Sequence, residues 1–138
     1  APRSRELPRI EARVLVADDR RDIWRVTKYF LEKCGAEVTV AEDGRQAVDA
    51  ACAARDEANP FALIIMDMQM PVMNGREAVA ELRRRGFDCP IIALTADAMD
   101  GEREECLKVG CNGYFPKPVD AVPLMEMVAS LVTLPSNR

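Results

Sequence analysis

Asp18 and Asp19 follow the run VLVA, Asp67 follows FALIIM, Thr95 ends PIIALT, and Lys117 comes just after GYFP. Each polar group stands where an apolar, strand-like run gives out. If those runs lie side by side, three carboxylates, a hydroxyl and an ammonium converge. Carboxylates crowded together repel, and their pKa values rise unless a cation joins them. Lys117 is one such cation and a divalent metal is another. Ligation by carboxylate and carbonyl oxygen suits a hard ion, Mg²⁺ foremost in a cell. A bound Mg²⁺ beside an ammonium makes a seat for a phosphoryl group. An aspartate in that seat can itself be the nucleophile, giving an aspartyl phosphate.

Such a convergence needs a scaffold that brings strand ends together. Val14–Ala17, Glu37–Ala41, Phe61–Met66, Pro90–Thr95 and Gly113–Pro118 read as strands. After the first, RRDIWRVTKYFLEKCG sets Ile23, Val26, Phe30 and Cys34 at helical spacing, with Gly35 as the stop. DGRQAVDAACAARDEA, GREAVAELRRRG and the highly charged GEREECLKVG read as the next three helices. In the last, DAVPLMEMVASLV, Asp120 is the expected N-cap and Pro123 falls in the first turn. Leu124, Met127, Val128 and Leu131 share one face of it. Strands alternating with helices predict a doubly wound α/β sandwich, its parallel sheet covered on both faces. In such a sheet the carboxyl ends of the strands share one rim, where ligands bind. Residues 1–12, APRSRELPRIEA, read as a flexible tail or linker, residues 13–133 as the domain, and 134–138 as a C-terminal tail.

Each residue taken alone has a plainer explanation. An aspartate after a strand commonly caps a helix or forms a turn. A lone threonine there is a cap, and a lone lysine a solvated charge. Asp67 resists this most, because Asn74 and Gly75 stand between it and the next helix and can make that turn. For the joint pattern, five separate accidents would have to land on one rim.

Composition narrows the field. The 138 residues fit one domain, and 49% hydrophobic content is enough for a core. A net charge of −4 and a pI of about 5.0 argue against nucleic acid as the main partner. No apolar run is long enough to span a bilayer, and no charged-then-apolar leader opens the chain, so the expected location is cytoplasmic, without membrane contact from this domain. The chain opens at Ala1, as a processed or excised piece would. The five cysteines (Cys34, Cys52, Cys89, Cys106, Cys111) are odd in number and form no CxxC pair, which favours small apolar residues over disulfides or zinc ligands. Histidine is absent, so any histidine chemistry belongs to a partner. Neither GxxxxGK[ST] nor GxGxxG is present, and DMQM lacks the DxD pair of dehalogenase-like phosphotransferases.

The motifs VLVADD, LIIMDMQMPVMNG, PIIALTADAM and GYFPKP, in that order from about Arg13 to Val132, resemble the response-regulator receiver domain of two-component phosphorelays. The resemblance implies a flavodoxin-like (βα)5 fold with strand order 2-1-3-4-5. It implies that Asp67 is the phosphoacceptor for a phosphoryl group held on a partner's histidine, in a histidine kinase or histidine phosphotransfer protein. Asp19, Asp67 and the backbone carbonyl of Gln69 would ligate Mg²⁺, and Asp18 would act on it through water. Lys117 would pair with Asp67 and then with the phosphoryl oxygens, and Thr95 would donate its hydroxyl to them. Tyr114 would swing inward with Thr95. Pro118 would follow a cis peptide, and Gln69 and Asp97 would tune dephosphorylation. MDMQMPVMNG and PIIALTADAM look most like receivers attached to hybrid sensor kinases, which usually carry asparagines where Arg20 and Ile23 stand here. Arg20, expected at the rim, is placed either to meet the partner or phosphate or to be plain surface.

The reading is therefore a switch that catalyses its own phosphorylation and dephosphorylation, not an enzyme acting on an external metabolite. Phosphorylation adds about two negative charges and is expected to shift the fourth helix, fifth strand and fifth helix between two arrangements. The fourth helix, with few apolar anchors, is expected to be the looser element. A homodimer through the fourth- and fifth-helix face is an open possibility. The alternatives are a pseudo-receiver that is never phosphorylated and a small Mg²⁺-dependent phosphatase.

Overall fold

The computed structural model describes residues 7–96 and 100–132. Its elements alternate: β1 (Arg13–Ala17), α1 (Arg21–Lys33), β2 (Glu37–Ala41), α2 (Gly44–Asp56), β3 (Leu63–Asp67), α3 (Gly75–Arg84), β4 (Ile91–Thr95), α4 (Asp100–Val109), β5 (Gly113–Pro116) and α5 (Ala121–Val132). All strand pairs are parallel, in the order β2-β1-β3-β4-β5. The doubly wound sheet expected from the sequence is present, with its strand order.

Both faces of the central strands are buried, which is why those strands read as unbroken apolar runs. Leu15, Ala17, Ile64, Met66, Ile91 and Ala93 point to the side covered by α2, α3 and α4. Val14, Val16, Leu63, Ile65, Ile92 and Leu94 point to the other side, where Leu31 of α1 and Leu124, Met125 and Val128 of α5 cover them. Edge strand β2 is only half-buried, so its sequence carries Glu37 and Thr39 among valines. Burial raises the thiols of Cys34, Cys89, Cys106 and Cys111, the last to about 12. Those four cysteines stay protonated and behave as small packing residues.

Two expectations need correction. The inward face of α1 is not the Ile23–Val26–Phe30–Cys34 stripe. Val26 is 54% exposed, whereas Thr27, Leu31 and Cys34 are buried. A buried threonine is tolerable here because its hydroxyl donates to the Ile23 carbonyl one turn earlier, at 3.2 Å. Residues 1–12 are also not wholly a loose tail. Ile10 is fully buried against the α1/α5 side, its N–H donates to the Cys34 carbonyl (2.7 Å), and Glu37 N–H donates to the Ala12 carbonyl (2.9 Å). An isolated isoleucine between prolines and charges has no periodicity to reveal it.

Candidate functional site

The parallel register brings the strand ends level. Ala17 is opposite Met66, Asp67 opposite Leu94, and Thr95 opposite Pro116. Asp18 thus leaves β1 beside the end of β3, and Lys117 leaves β5 one residue past Thr95. The Lys117 N–H donates to the Thr95 carbonyl at 2.8 Å, which fixes where its side chain starts. The peptide between Lys117 and Pro118 is cis.

Four of the expected residues therefore meet, and Thr95 ends the neighbouring strand. Lys117 Nζ lies 3.2 Å from Asp67 Oδ1 and 3.6 Å from Asp18 Oδ2. Asp18, Asp67 and Thr95 are buried, while Asp19 is exposed at the mouth. Among the described residues, Asp18, Asp19 and Asp67 each offer a carboxylate oxygen within 4.8 Å of the others. Backbone donors hold two of the three in place. Arg20 N–H donates to Asp18 Oδ1 at 2.9 Å, and Gln69 N–H to Asp67 Oδ1 at 3.2 Å.

One lysine faces two buried carboxylates, so negative charge is in excess. Burial, reinforced by the charge on Asp67, pushes the Asp18 carboxyl up to about 6, against the opposing pull of Arg20 N–H and Lys117. Asp18 Oδ2 is buried and accepts no hydrogen bond. A buried carboxylate oxygen without a donor, in an all-oxygen set open to solvent at Asp19, fits a hard divalent cation. Such an ion would be held by Asp19 and Asp67, with Asp18 beside it.

The loop after Asp67 shapes the mouth. Gly75 opens α3 so close to β3 that a Cβ on it would collide with the Asp67 carbonyl oxygen. Asn74 caps α3 through a reciprocal capping box with Glu77 (2.8 and 3.0 Å). Gly75 thus seats the helix on the very peptide that carries Asp67. The sequence reading saw Asn74 and Gly75 as a turn but missed this close approach. Val72, 81% exposed, turns the chain with φ +67°. A β-branched residue in the left-handed region is unusual and marks local strain in this loop.

The remaining expected residues are placed as follows. Gln69 is exposed two residues past the end of β3. Tyr114 is half-buried on β5 opposite Ala93, against the α2/α3/α4 side. The Arg20 side chain is exposed and lies 3.8 Å from Asp22, so what it brings to the site is its backbone N–H. Asp97 lies outside the described residues.

Known proteins share this fold. The response regulator receiver domain family matches residues 14–129. The chain is 37% identical over 123 residues to hybrid signal transduction histidine kinase I of Dictyostelium discoideum, covering 86% of this chain but 7% of that one. It is 32% identical over 129 residues to two-component response regulator 24 of Arabidopsis thaliana, covering 91% and 90% respectively. A Francisella response regulator receiver domain superposes with a TM-score of 0.80 at 31% identity, over 88% of this chain and 96% of that one. The receiver domain of a Pseudomonas aeruginosa sensor histidine kinase, solved with magnesium coordinated in its active-site cleft, superposes with a TM-score of 0.79 at 34% identity, over 91% and 100%. A sheet that carries its acids at these strand ends, matched over nearly its whole length, makes this chain a member of the response-regulator receiver domain family, a signalling module of two-component phosphorelays.

Proposed function

We propose that the chain takes a phosphoryl group onto Asp67 from a phosphohistidine of a histidine kinase or histidine phosphotransfer protein. The observation that carries this reading is Lys117 Nζ reaching both Asp67 and Asp18 on a rim with an excess of buried carboxylate oxygen. A yeast receiver co-crystallised with a histidine phosphotransfer protein, 27% identical with a TM-score of 0.76, supports the partner class. In the transfer, an Asp67 carboxylate oxygen attacks phosphorus, the P–N bond breaks, and the imidazole leaves with its electron pair. Mg²⁺, when bound, would neutralise phosphoryl charge. Asp19, Asp67 and the Gln69 carbonyl would hold it, and Asp18 would hold its water. Lys117 then moves its attraction from Asp67 to the new phosphoryl oxygens. Thr95 donates its hydroxyl to them, and Tyr114 follows it inward, changing the α4–β5–α5 face. That face also serves as the site of any homodimer. Gln69 and Asp97 set the rate at which water removes the phosphoryl group, so the only reaction catalysed is the domain's own phosphorylation and hydrolysis. We place this module in the cytoplasm, where phosphorelay donors act.

The test is intact mass after incubation with acetyl phosphate, with and without Mg²⁺, on wild type and Asp67→Asn. The expected outcome is a Mg²⁺-dependent, base-labile adduct of one phosphoryl group on wild type and none on the variant. An adduct that persists on Asp67→Asn would move the phosphoacceptor elsewhere. Inertness of wild type to this donor and to a phosphohistidine protein would indicate a pseudo-receiver.

A further inference from the structure

Gly44 opens α2 with its backbone against the loop that follows Asp67. It is buried, and its N–H donates to the Met73 carbonyl at 2.9 Å. A Cβ at this position would collide with that carbonyl oxygen and come within 3.0 Å of the Met73 Cβ. Its φ lies outside the left-handed region, so the helix backbone itself would accept alanine. What the glycine provides is the close approach.

Met73 ends a strained turn. Its N–H donates to the Pro71 carbonyl at 2.7 Å around Val72, whose φ is +67°. That is a γ-turn of the rare positive-φ kind. Residues 69–74 are exposed or half-buried. At their base, Gly75 N–H donates to the Met68 carbonyl at 3.2 Å, which closes the two ends of the loop on each other. Gly44 holds the same loop near its tip, from a different helix.

The α2 side of this contact is well anchored. Asp43 caps the helix by accepting the Gln46 N–H (2.8 Å), and the Gln46 side chain accepts the Glu42 N–H (2.9 Å). Ala47, Val48 and Ala51 are buried in the core. Just before the cap, the Ala41 carbonyl accepts the Asp18 N–H at 3.0 Å. Ala41–Gly44 thus joins the two backbones that present the buried acids, Asp18 at one end and the loop after Asp67 at the other.

We propose that Gly44 is a positioning residue for the metal site. It sets how far the loop after Asp67 stands from the backbone of Asp18 and Asp19, and hence where the Gln69 carbonyl is held. A methyl group at Gly44 displaces the loop and not the helix, because the loop is exposed and already strained whereas α2 is capped and buried. The proposal rests on Gln69 as a ligand of Mg²⁺.

The test compares wild type, Gly44→Ala and, as a control for lost stability, Val128→Ala, which trims a fully buried side chain on the α1/α5 side. In amide spectra of the metal-free proteins, Gly44→Ala is expected to move the signals of residues 69–74 and leave those of β4 and β5 in place. Calorimetric titration with Mg²⁺, at a temperature where all three are folded, should show affinity roughly ten-fold lower in Gly44→Ala, the lower end for groups that orient a metal's ligands. Val128→Ala should bind as wild type does. Unmoved loop signals, an unchanged affinity, or a loss matched by Val128→Ala overturns the proposal. A second measurement needs no variant: Mg²⁺ added to wild type should move the Gly44 amide signal together with those of 69–74, and a Gly44 signal that stays fixed overturns the proposal as well. A wild type that binds no Mg²⁺ sinks the metal reading and this one with it, whereas a wild type that binds and a variant that binds equally well sink this one alone.

Discussion

At the scale of single residues, the site is a problem of charge balance. Asp18 and Asp67 share one lysine, and burial pushes the Asp18 carboxyl, with one oxygen lacking a donor, up to about 6. Its value when unfolded is the ordinary 3.8. The metal-free fold therefore holds this proton to higher pH than the unfolded chain does. The contribution of Asp18 to stability is fully present below about 4 and is lost as pH rises through 6. A divalent cation beside Asp18 favours its charged form and so competes with that proton. Its affinity should then fall roughly ten-fold for each pH unit below 6. Calorimetric titration with Mg²⁺ at pH 7 and pH 5 checks this. Equal affinities would show that Asp18 does not communicate with the ion. An Asp18→Asn variant should lose most of the pH dependence.

At the scale of elements, the contact that most constrains the site is α3 upon the end of β3. Asp67 can sit at the rim with its carboxylate inward because the next helix starts on top of its peptide, and only glycine permits that approach. Gly75→Ala should cost about 3 kcal/mol, the upper end for forced overpacking, since the obstacle is backbone and not a flexible side chain. It should also slow phosphoryl labelling, because relief requires β3 and α3 to part at Asp67. Urea unfolding and labelling by acetyl phosphate measure the two effects. A stable variant that labels normally would mean the loop absorbs the methyl elsewhere. The strands themselves were plain in the sequence, since a doubly buried strand can only be apolar. The buried face of α1 was not, because Val26 and Thr27 are adjacent and the burial went to the residue able to satisfy its own hydroxyl.

At the scale of the molecule, the domain buries more of the chain than its motifs announce. Ile10 lies outside every receiver motif and outside the matched residues 14–129, yet it is fully buried on the α1/α5 side. Ile10→Ala should destabilise the fold by about 3 kcal/mol, as for other large aliphatics removed from a core. Denaturation with urea would show it as a shifted midpoint, and an unshifted midpoint would return residues 7–12 to the status of a tail. The chain spans at most 14% of the length of the curated kinases it resembles.

The amino-acid order by itself determined the α/β alternation, the parallel sheet and the rim on which Asp18, Asp19, Asp67, Thr95 and Lys117 meet. Those follow from local rules, in which apolar runs make buried strands and parallel strands align their carboxyl ends. Tertiary structure alone decided the rest. It set the Lys117 amine nearer to Asp67 than to Asp18, left one Asp18 oxygen without a donor and placed Gly75 on the Asp67 peptide. Each of these is a matter of a few ångströms between atoms that packing brings together or holds apart. Neither spacing nor composition encodes such a distance, because it is fixed only when the helices pack on the sheet.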